Sequence, residues 1–596
     1  MPRATALALS LAALGGLAVA VVVDRLGPAP VASVARGSEE AFATGGLDER
    51  ELPPGHGPIR WMGARAAFAF GDLPAGPTAV EVRVRGNAAA VGVVVNGRTC
   101  GALTPAAPRA RCELGEGPPD GKLEVVLHAR TVERGGRQLG ALIGQIRVET
   151  ATGWRVPPAL ATRLAALGGL AAAAALVARL PAWGAGLVGL LAAALAGGAL
   201  WPQGLRHSHY AGVLPWLVAG SCALAALLVR ALVARRRLAA GATASCFAAL
   251  AAAFLLHGVA STSPIMVVSD ANFHAHVLRD VARGDWFPTS VTQHARPFRI
   301  PYGPAFYALL VPGFLAGFDP LALVRWGAGI GGCLAAVALL WLLLPLGAAR
   351  AASSLGLWLA LPGSFDAYSA GNLSNAFGQS ASVAFLAWWG GGGPLGPGLG
   401  AGLAAVAGIS HLSSFLVLLV VAMGLVLARR RRHERRLLWG LALGLGLAAL
   451  YYARHAGLVL EQAPRVLEGG GQGRGAAVGF TGAVLQQALT ALREWGAPAL
   501  CLALFARWRG PFSGIERDVR AYALGAAALL LPALVSPVEV RYVLALGPAV
   551  ACLAAEGALR LAARGWRGAL LAMALAGLQC WLAAGNLAQA LLERYR

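Results

Sequence analysis

The chain has 596 residues, 57% hydrophobic and 13% charged, and its apolar runs recur at lengths that cross the ~30 Å bilayer core. That composition excludes a soluble globular protein and marks a polytopic α-helical membrane protein. The formal net charge of +22 does not indicate nucleic acid: the basic residues, almost all Arg, sit in short clusters between apolar segments, as in VARRRLA and LARRRRHERRLL, the pattern of cytoplasmic loops.

Residues 1–24 begin with Met1, Pro2 and Arg3 and continue as an apolar run to Val23, longer than the ~7–15-residue core of a signal peptide. They read as an uncleaved membrane anchor with its N-terminus inside, with cleavage at VASVARG as the alternative; either way the next segment is exported. Residues 40–152 change character. AVEVRVRG, AVGVVVNGR, KLEVVLHARTV and LIGQIRVET alternate apolar and polar residues between Gly, Pro and Asn-Gly turns, which predicts an inserted extracytoplasmic antiparallel β-sandwich domain of ~100 residues. Cys100 and Cys112 lie in this exported region at a spacing that suits neighbouring strands and are the disulfide candidates. Most of the other cysteines lie in apolar segments, where they pack as small hydrophobes, and no Cys/His pattern has zinc spacing.

From Pro158 the chain turns helical and apolar, with additional transmembrane helices over 158–239 near 160–178, 183–200 and 212–233, then a span at 240–258. Arg230–Arg237 place the intervening loop inside, so the last of these spans emerges outside at His257. Segment 259–325 is a long exoplasmic loop whose second half, YGPAFYALLVPGFLAGF, suits an interfacial or re-entrant helix. Further spans are expected near 326–346, 351–363, 375–390, 397–410, 412–428, 437–453, 490–506, 521–537, 542–560 and 567–585, giving about 13–15 transmembrane helices.

On this topology the polar residues gather on the exoplasmic side. SDANFHAHVLRD places Asp270 just after an emerging span, either as a helix N-cap or as a base for a substrate hydroxyl. His274, four residues on, shares a helix face with Asp270, and His276 points elsewhere. The Asp/His pair can ligate a metal or hydrogen-bond a polar substrate, and no third ligand is visible nearby. The same loop supplies Arg296, Arg299 and Tyr302; GSFDAYSAGNLSN supplies Asp366; GISHLSSF supplies His411 at the membrane lip. In SPVEVRYVLALGP, Arg541 reads either as a snorkelling anchor or as a phosphate ligand, with Tyr542 beside it.

This layout resembles the GT-C superfamily of integral membrane glycosyltransferases over residues 240–596. The resemblance rests on the loop acid after a span, the stretch RDVARGDWFP followed by RPFRIPYGPAFYALLVPGF, the polar turn at Asp366, and the late RYVLALGP. The Asp-Glu pair of many members is absent, since Ala271 and Asn272 follow Asp270, and DANFHAH is similar to the Asp-x-x-x-His form of divergent ones. The resemblance implies a bacterial inner-membrane enzyme with its active site on the exoplasmic face. It implies a polyprenyl-phosphate-linked sugar donor and a glycan, lipid or protein acceptor of the cell envelope. Asp270 is then the general base, with His274, His276, Arg296, Arg299, Tyr302, Asp366, His411, Arg541 and Tyr542 as substrate and donor contacts. No resident metal is assigned, and a divalent cation is left open. The competing readings are a lipid-glycan transporter or translocase, and a non-catalytic envelope-assembly scaffold with a GT-C-like core. The β domain reads equally as a carbohydrate-binding module or a structural cap.

Overall fold

The computed structural model describes the chain apart from residues 1, 37, 52–58, 74–77, 88–89, 116–119, 135–136, 151–156, 236–237, 240–241, 265, 267–269, 292–298, 365–371, 429–434, 459, 462–479, 509–511, 529–543 and 593–596. It divides into two compact units, one of residues 1–231, 263–267 and 588–596, the other of 232–262 and 268–587.

In the first unit the alternating segments form the expected β domain. Its strands are β1 (Val31–Ser33), β2 (Ala43–Glu51), β3 (Ile59–Phe70), β4 (Thr78–Asn87), β5 (Val91–Val95), β6 (Arg98–Leu103), β7 (Arg109–Glu113), β8 (Leu123–Ala129), β9 (Val132–Arg134), β10 (Arg137–Leu139) and β11 (Ala141–Thr150). Period-two patterning sends Val80, Val82 and Val84 of β4 and Val91, Val93 and Val95 of β5 into the core. Asn96 and Gly97 both take positive φ, 46° and 76°, as the tight β5–β6 hairpin requires.

The strands run in the order β6-β5-β8-β3-β11-β4-β7, with β1 on β11 and β2 on β3. Between β3 and β11 the sole register pair is Leu142 with Trp61, so two antiparallel sheets meet there at one narrow joint. Cys100 of β6 and Cys112 of β7 form the expected disulfide, with Cα atoms 5.5 Å apart. It ties together the two ends of the strand path. The domain also begins earlier than residue 40, because β1 pairs with β11; β1 is too short to show alternation.

Helices Pro2–Leu26, Pro158–Val177 and Ala182–Leu200 of this unit pack on one another. A Cβ at Gly16 would lie 2.2 Å from Leu164 O, one at Gly168 2.4 Å from Ala12 O, and one at Gly189 2.4 Å from Gly168 O. Small residues therefore let the backbones approach, the means of helix association available in lipid. The turn Pro202–His207 grips the end of the first helix. Arg206, 6% exposed, donates to Pro28 O at 2.9 Å, Gly27 O at 3.3 Å and Asp24 O at 3.5 Å, carbonyls at the negative end of the helix dipole. His207 Nδ1 lies 3.1 Å from Gly71 O; a carbonyl only accepts, so Nδ1 carries the proton. Burial, reinforced by the Arg206 charge, pushes the His207 pKa down to about 4.

Eight helices among the described residues are long and apolar enough to cross a membrane: Arg3–Leu26, Pro158–Val177, Ala182–Leu200, Tyr210–Ala234, Thr243–Thr262, Pro320–Leu346, Arg435–Ala453 and Trp566–Leu587. Large side chains such as Leu7, Leu11, Leu191, Leu195 and Leu447 stand exposed on them, as a lipid-facing surface demands. The chain is a membrane protein by this measure, with fewer full-length spans described than the sequence suggests. Ala348–Leu359 has 12 residues, Pro397–Ser410 has 14 and Ala497–Leu504 has 8; at ~1.5 Å per residue none reaches across a ~30 Å core. Leu373–Gly390 has 18 residues, but Ser374, Asn375, Gln379, Ser380 and Ser382 lower its hydropathy. Parts of the spans expected at 521–537 and 542–560 lie outside the described residues.

In the second unit, the part of the 259–325 loop from residue 268 onward contains the helix Ala271–Ala282, a hairpin of β12 (Thr289–Val291) and β13 (Arg299–Pro301), and the short helices Ala305–Ala308 and Val311–Leu315. Leu309, Leu315 and Phe318 are exposed there, in keeping with an interfacial segment. Elsewhere in this unit Arg350 binds Glu516 at 2.7 Å and Glu556 at 2.8 Å, and Arg520 binds Glu556 at 3.0 Å. The fully buried Gln579 of the Trp566–Leu592 helix accepts from Ala499 N at 3.1 Å and donates to Ala360 O at 2.8 Å and Trp495 O at 2.9 Å. It satisfies backbone groups at three helix ends that have no intrahelical partner.

Candidate functional site

The Ala271–Ala282 helix is amphipathic, burying Ala271, His274, Ala275, Leu278 and Val281 while His276 is exposed. Asp270 occupies its N-cap position, and its backbone oxygen accepts from His274 N at 3.0 Å. Its carboxylate makes no capping hydrogen bond. Of the two readings of Asp270, the position is that of a cap and the side chain is not committed to one. His274 is 2% exposed, and its Nδ1 is hydrogen-bonded to the Tyr307 hydroxyl at 2.6 Å. Burial, and next the neighbouring Tyr302, raise the Tyr307 pKa well above its ordinary value, so this phenol stays protonated and able to donate.

Tyr302 reaches the same place from the other end of the loop. Its ring meets Phe273 edge-on at 4.9 Å and His411 edge-on at 5.6 Å, with His274 at 6.3 Å. Gly303 makes this possible. A Cβ there would lie 1.6 Å from Ile409 O, so only glycine lets the chain after Tyr302 run against the end of the Pro397–Ser410 helix. The Tyr302 backbone is held on both sides: its amide donates to Pro288 O at 2.9 Å, and its carbonyl accepts from the Tyr451 hydroxyl at 2.8 Å.

His411 lies where two apolar helices break, in extended backbone with φ −161°. Its carbonyl accepts from Phe415 N at 3.0 Å, and its Nδ1 accepts from Ser413 N at 3.1 Å, so the side chain caps the Leu412–Ala428 helix. The Ser413 hydroxyl lies 2.6 Å from the same nitrogen. Ser413 Oγ and Ser414 Oγ donate to Asn375 Oδ1 at 2.9 and 3.0 Å, and this buried amide fixes the break against the Leu373–Gly390 helix.

The structure thus brings the buried His274 and His411 together around the half-buried Tyr302, with Asp270 one helical turn from His274. It leaves His276 exposed on the opposite helix face and Arg299 exposed on the β12–β13 hairpin, outside that cluster. Arg296, Asp366, Arg541 and Tyr542 lie outside the described residues. Phe273, Tyr307, Asn375, Ser413 and Tyr451 join the cluster without having been singled out from the sequence. Their only sequence signal is polarity inside apolar helices, as in LSNAFGQS and SHLSS. Imidazoles and phenols in contact, with a carboxylate one helical turn away, can accept a proton and orient hydroxyl groups. No group of three or more His, Cys, Asp or Glu among the described residues is arranged to hold a metal ion.

The chain matches no family model, no curated protein and no solved structure.

Proposed function

We propose that the protein is an integral membrane glycosyltransferase of GT-C type, moving a sugar from a polyprenyl-phosphate donor to a cell-envelope acceptor on the exoplasmic face of the bacterial cytoplasmic membrane. The observation that carries this reading is the meeting of His274, Tyr302 and His411, distant in sequence, one helical turn from Asp270. The Cys100–Cys112 disulfide supports an exported β domain, since such bonds persist in oxidising compartments.

In this reaction Asp270 takes the proton of the acceptor hydroxyl as its oxygen attacks the anomeric carbon. The bond from that carbon to the lipid-phosphate oxygen breaks, the phosphate leaves with the electron pair, and the configuration inverts. His274, held by Tyr307, and His411 orient the hydroxyls. Arg541, with Arg296, balances the negative charge growing on the phosphate.

Membranes carrying Asp270→Asn test the reading, with release of polyprenyl phosphate and glycan transfer measured together. Loss of a general base predicts a fall of roughly 10²–10⁴-fold at unchanged protein level. Undiminished transfer by this variant removes Asp270 from catalysis and returns it to a capping position.

A further inference from the structure

The helical unit holds a second polar feature that the Asp270 cluster does not use. A cavity of about 70 Å³ is lined among others by His257, Trp358, Gln379, Ser380, Glu494 and Trp495. It has room for several water-sized groups or one small ring. His257 is 7% exposed and Glu494 1%, although each is ionisable and buried in an apolar bundle, where such side chains mark function more often than packing.

Two glycines on neighbouring elements make room for these groups. A Cβ at Gly332 would lie 2.4 Å from His257 Cε1, and one at Gly363 would lie 2.7 Å from Glu494 Oε2. The rim is also fixed, because Gln579 holds the backbone at Ala360 and Trp495. Trp358 stands beside His257, with ring centres 6.1 Å apart. The cavity is therefore shaped before any ligand arrives, which lowers the cost of binding.

The lining decides the ligand's chemistry. Among the described residues it contains no Lys or Arg, so a phosphate or carboxylate finds no charged donor among them. The Glu494 charge is already answered by Arg493, whose Nε lies 3.3 Å away, so a cation gains little. What is offered is a carboxylate acceptor, an amide, hydroxyls, an imidazole and indole faces. The geometry points to a binding site for a neutral, hydroxyl-rich ring, a glycosyl unit, whose hydroxyls donate to Glu494 and accept from Gln379 while its C–H faces lie on tryptophan. This goes beyond the Asp270 reading: it shares no residue with that cluster and assumes no reaction.

The test uses the full-length protein in lipid nanodiscs and ligand-observed NMR. The probes are the methyl glycosides of glucose, mannose, galactose and arabinose, with choline chloride and inorganic phosphate as comparison ligands. At least one glycoside gives a saturable signal, weakened about tenfold by Gln379→Leu through loss of hydrogen bonds and abolished by Ala376→Phe, which fills the cavity. Asp270→Asn leaves that signal unchanged, so failure of the catalytic reading, seen in the transfer assay, is distinct from failure here. The proposal is overturned if no glycoside saturates, if choline or phosphate binds instead, or if both cavity variants bind a glycoside as the parent does. It is equally overturned if native mass spectrometry finds a retained acyl lipid that Ala376→Phe expels. Thermal unfolding confirms that each variant is folded, and Gln379→Leu alone decides if Ala376→Phe is not.

Discussion

The ring of Tyr302 stands edge-on to the ring of His411, their centres 5.6 Å apart and their planes at 89°. Neither position is set by its own neighbours in sequence alone. Tyr302 is held by the close approach of Gly303 to Ile409, and His411 by the helix break that it caps.

Gly303→Ala tests that approach. The added methyl would sit 1.6 Å from Ile409 O, so backbone must move, at a cost of about 1–3 kcal/mol or more. We expect a lower unfolding temperature in detergent and a larger loss of transfer than Tyr302→Phe causes. Equal behaviour of Gly303→Ala and the parent would show that the Tyr302 loop does not rest on this contact.

Asn375→Leu removes the oxygen that accepts from both Ser413 and Ser414. Both hydroxyls lose their shared acceptor, Ser413 keeping His411 Nδ1 at 2.6 Å and Ser414 the residue 375 carbonyl at 3.4 Å, which costs about 0.5–1.5 kcal/mol. Thermal unfolding measures it. Adding Ser413→Ala and Ser414→Ala should recover part of the loss, because the hydroxyls short of an acceptor are then gone; no recovery would place the cost elsewhere.

His207 makes the first unit sensitive to acid. Its folded pKa is about 4 against an ordinary 6.5, so between these values the unfolded chain binds a proton that the folded chain refuses. Stability is full above pH 6.5 and falls as the pH drops toward 4, by about 1.4 kcal/mol per unit. His207→Asn keeps an N–H for Gly71 O and does not titrate. Unfolding temperatures between neutral and acid pH should flatten in this variant, and an unaltered slope would assign the acid sensitivity to another group.

Glu556→Gln leaves Arg350 and Arg520 short of a carboxylate in a site where Glu556 is 9% exposed. Breaking a buried pair from one side costs about 3–5 kcal/mol. A double variant with Arg350→Met should be less destabilised than the sum of the single changes. Strict additivity would mean that the two residues do not interact.

The β domain was legible because its strands alternate and its turns carry Asn-Gly, and the spans because their apolar runs are long. The number of full-length spans was not, since composition counts apolar residues and does not see the breaks at His411 or Gly347. Asp270 and His274 were legible as a pair because helical spacing places them together. Their meeting with Tyr302 and His411 was not, because it depends on Gly303 packing against Ile409, a tertiary contact. Asn375 and Glu494 look like isolated polar residues in sequence, and only packing shows that one fixes a helix break and the other lines a cavity.

Gln579 belongs to the Trp566–Leu592 helix, yet it completes backbone positions made much earlier, at Ala360, Trp495 and Ala499. A chain that emerges from its N-terminus must leave those groups incomplete until the last long helix is synthesised and docks. In a bilayer, backbone groups without partners cost several kcal/mol, so the half-made bundle is held short of its final packing. The rim of the His257 and Glu494 cavity is therefore sealed only once the Trp566–Leu592 helix has docked, by a single amide.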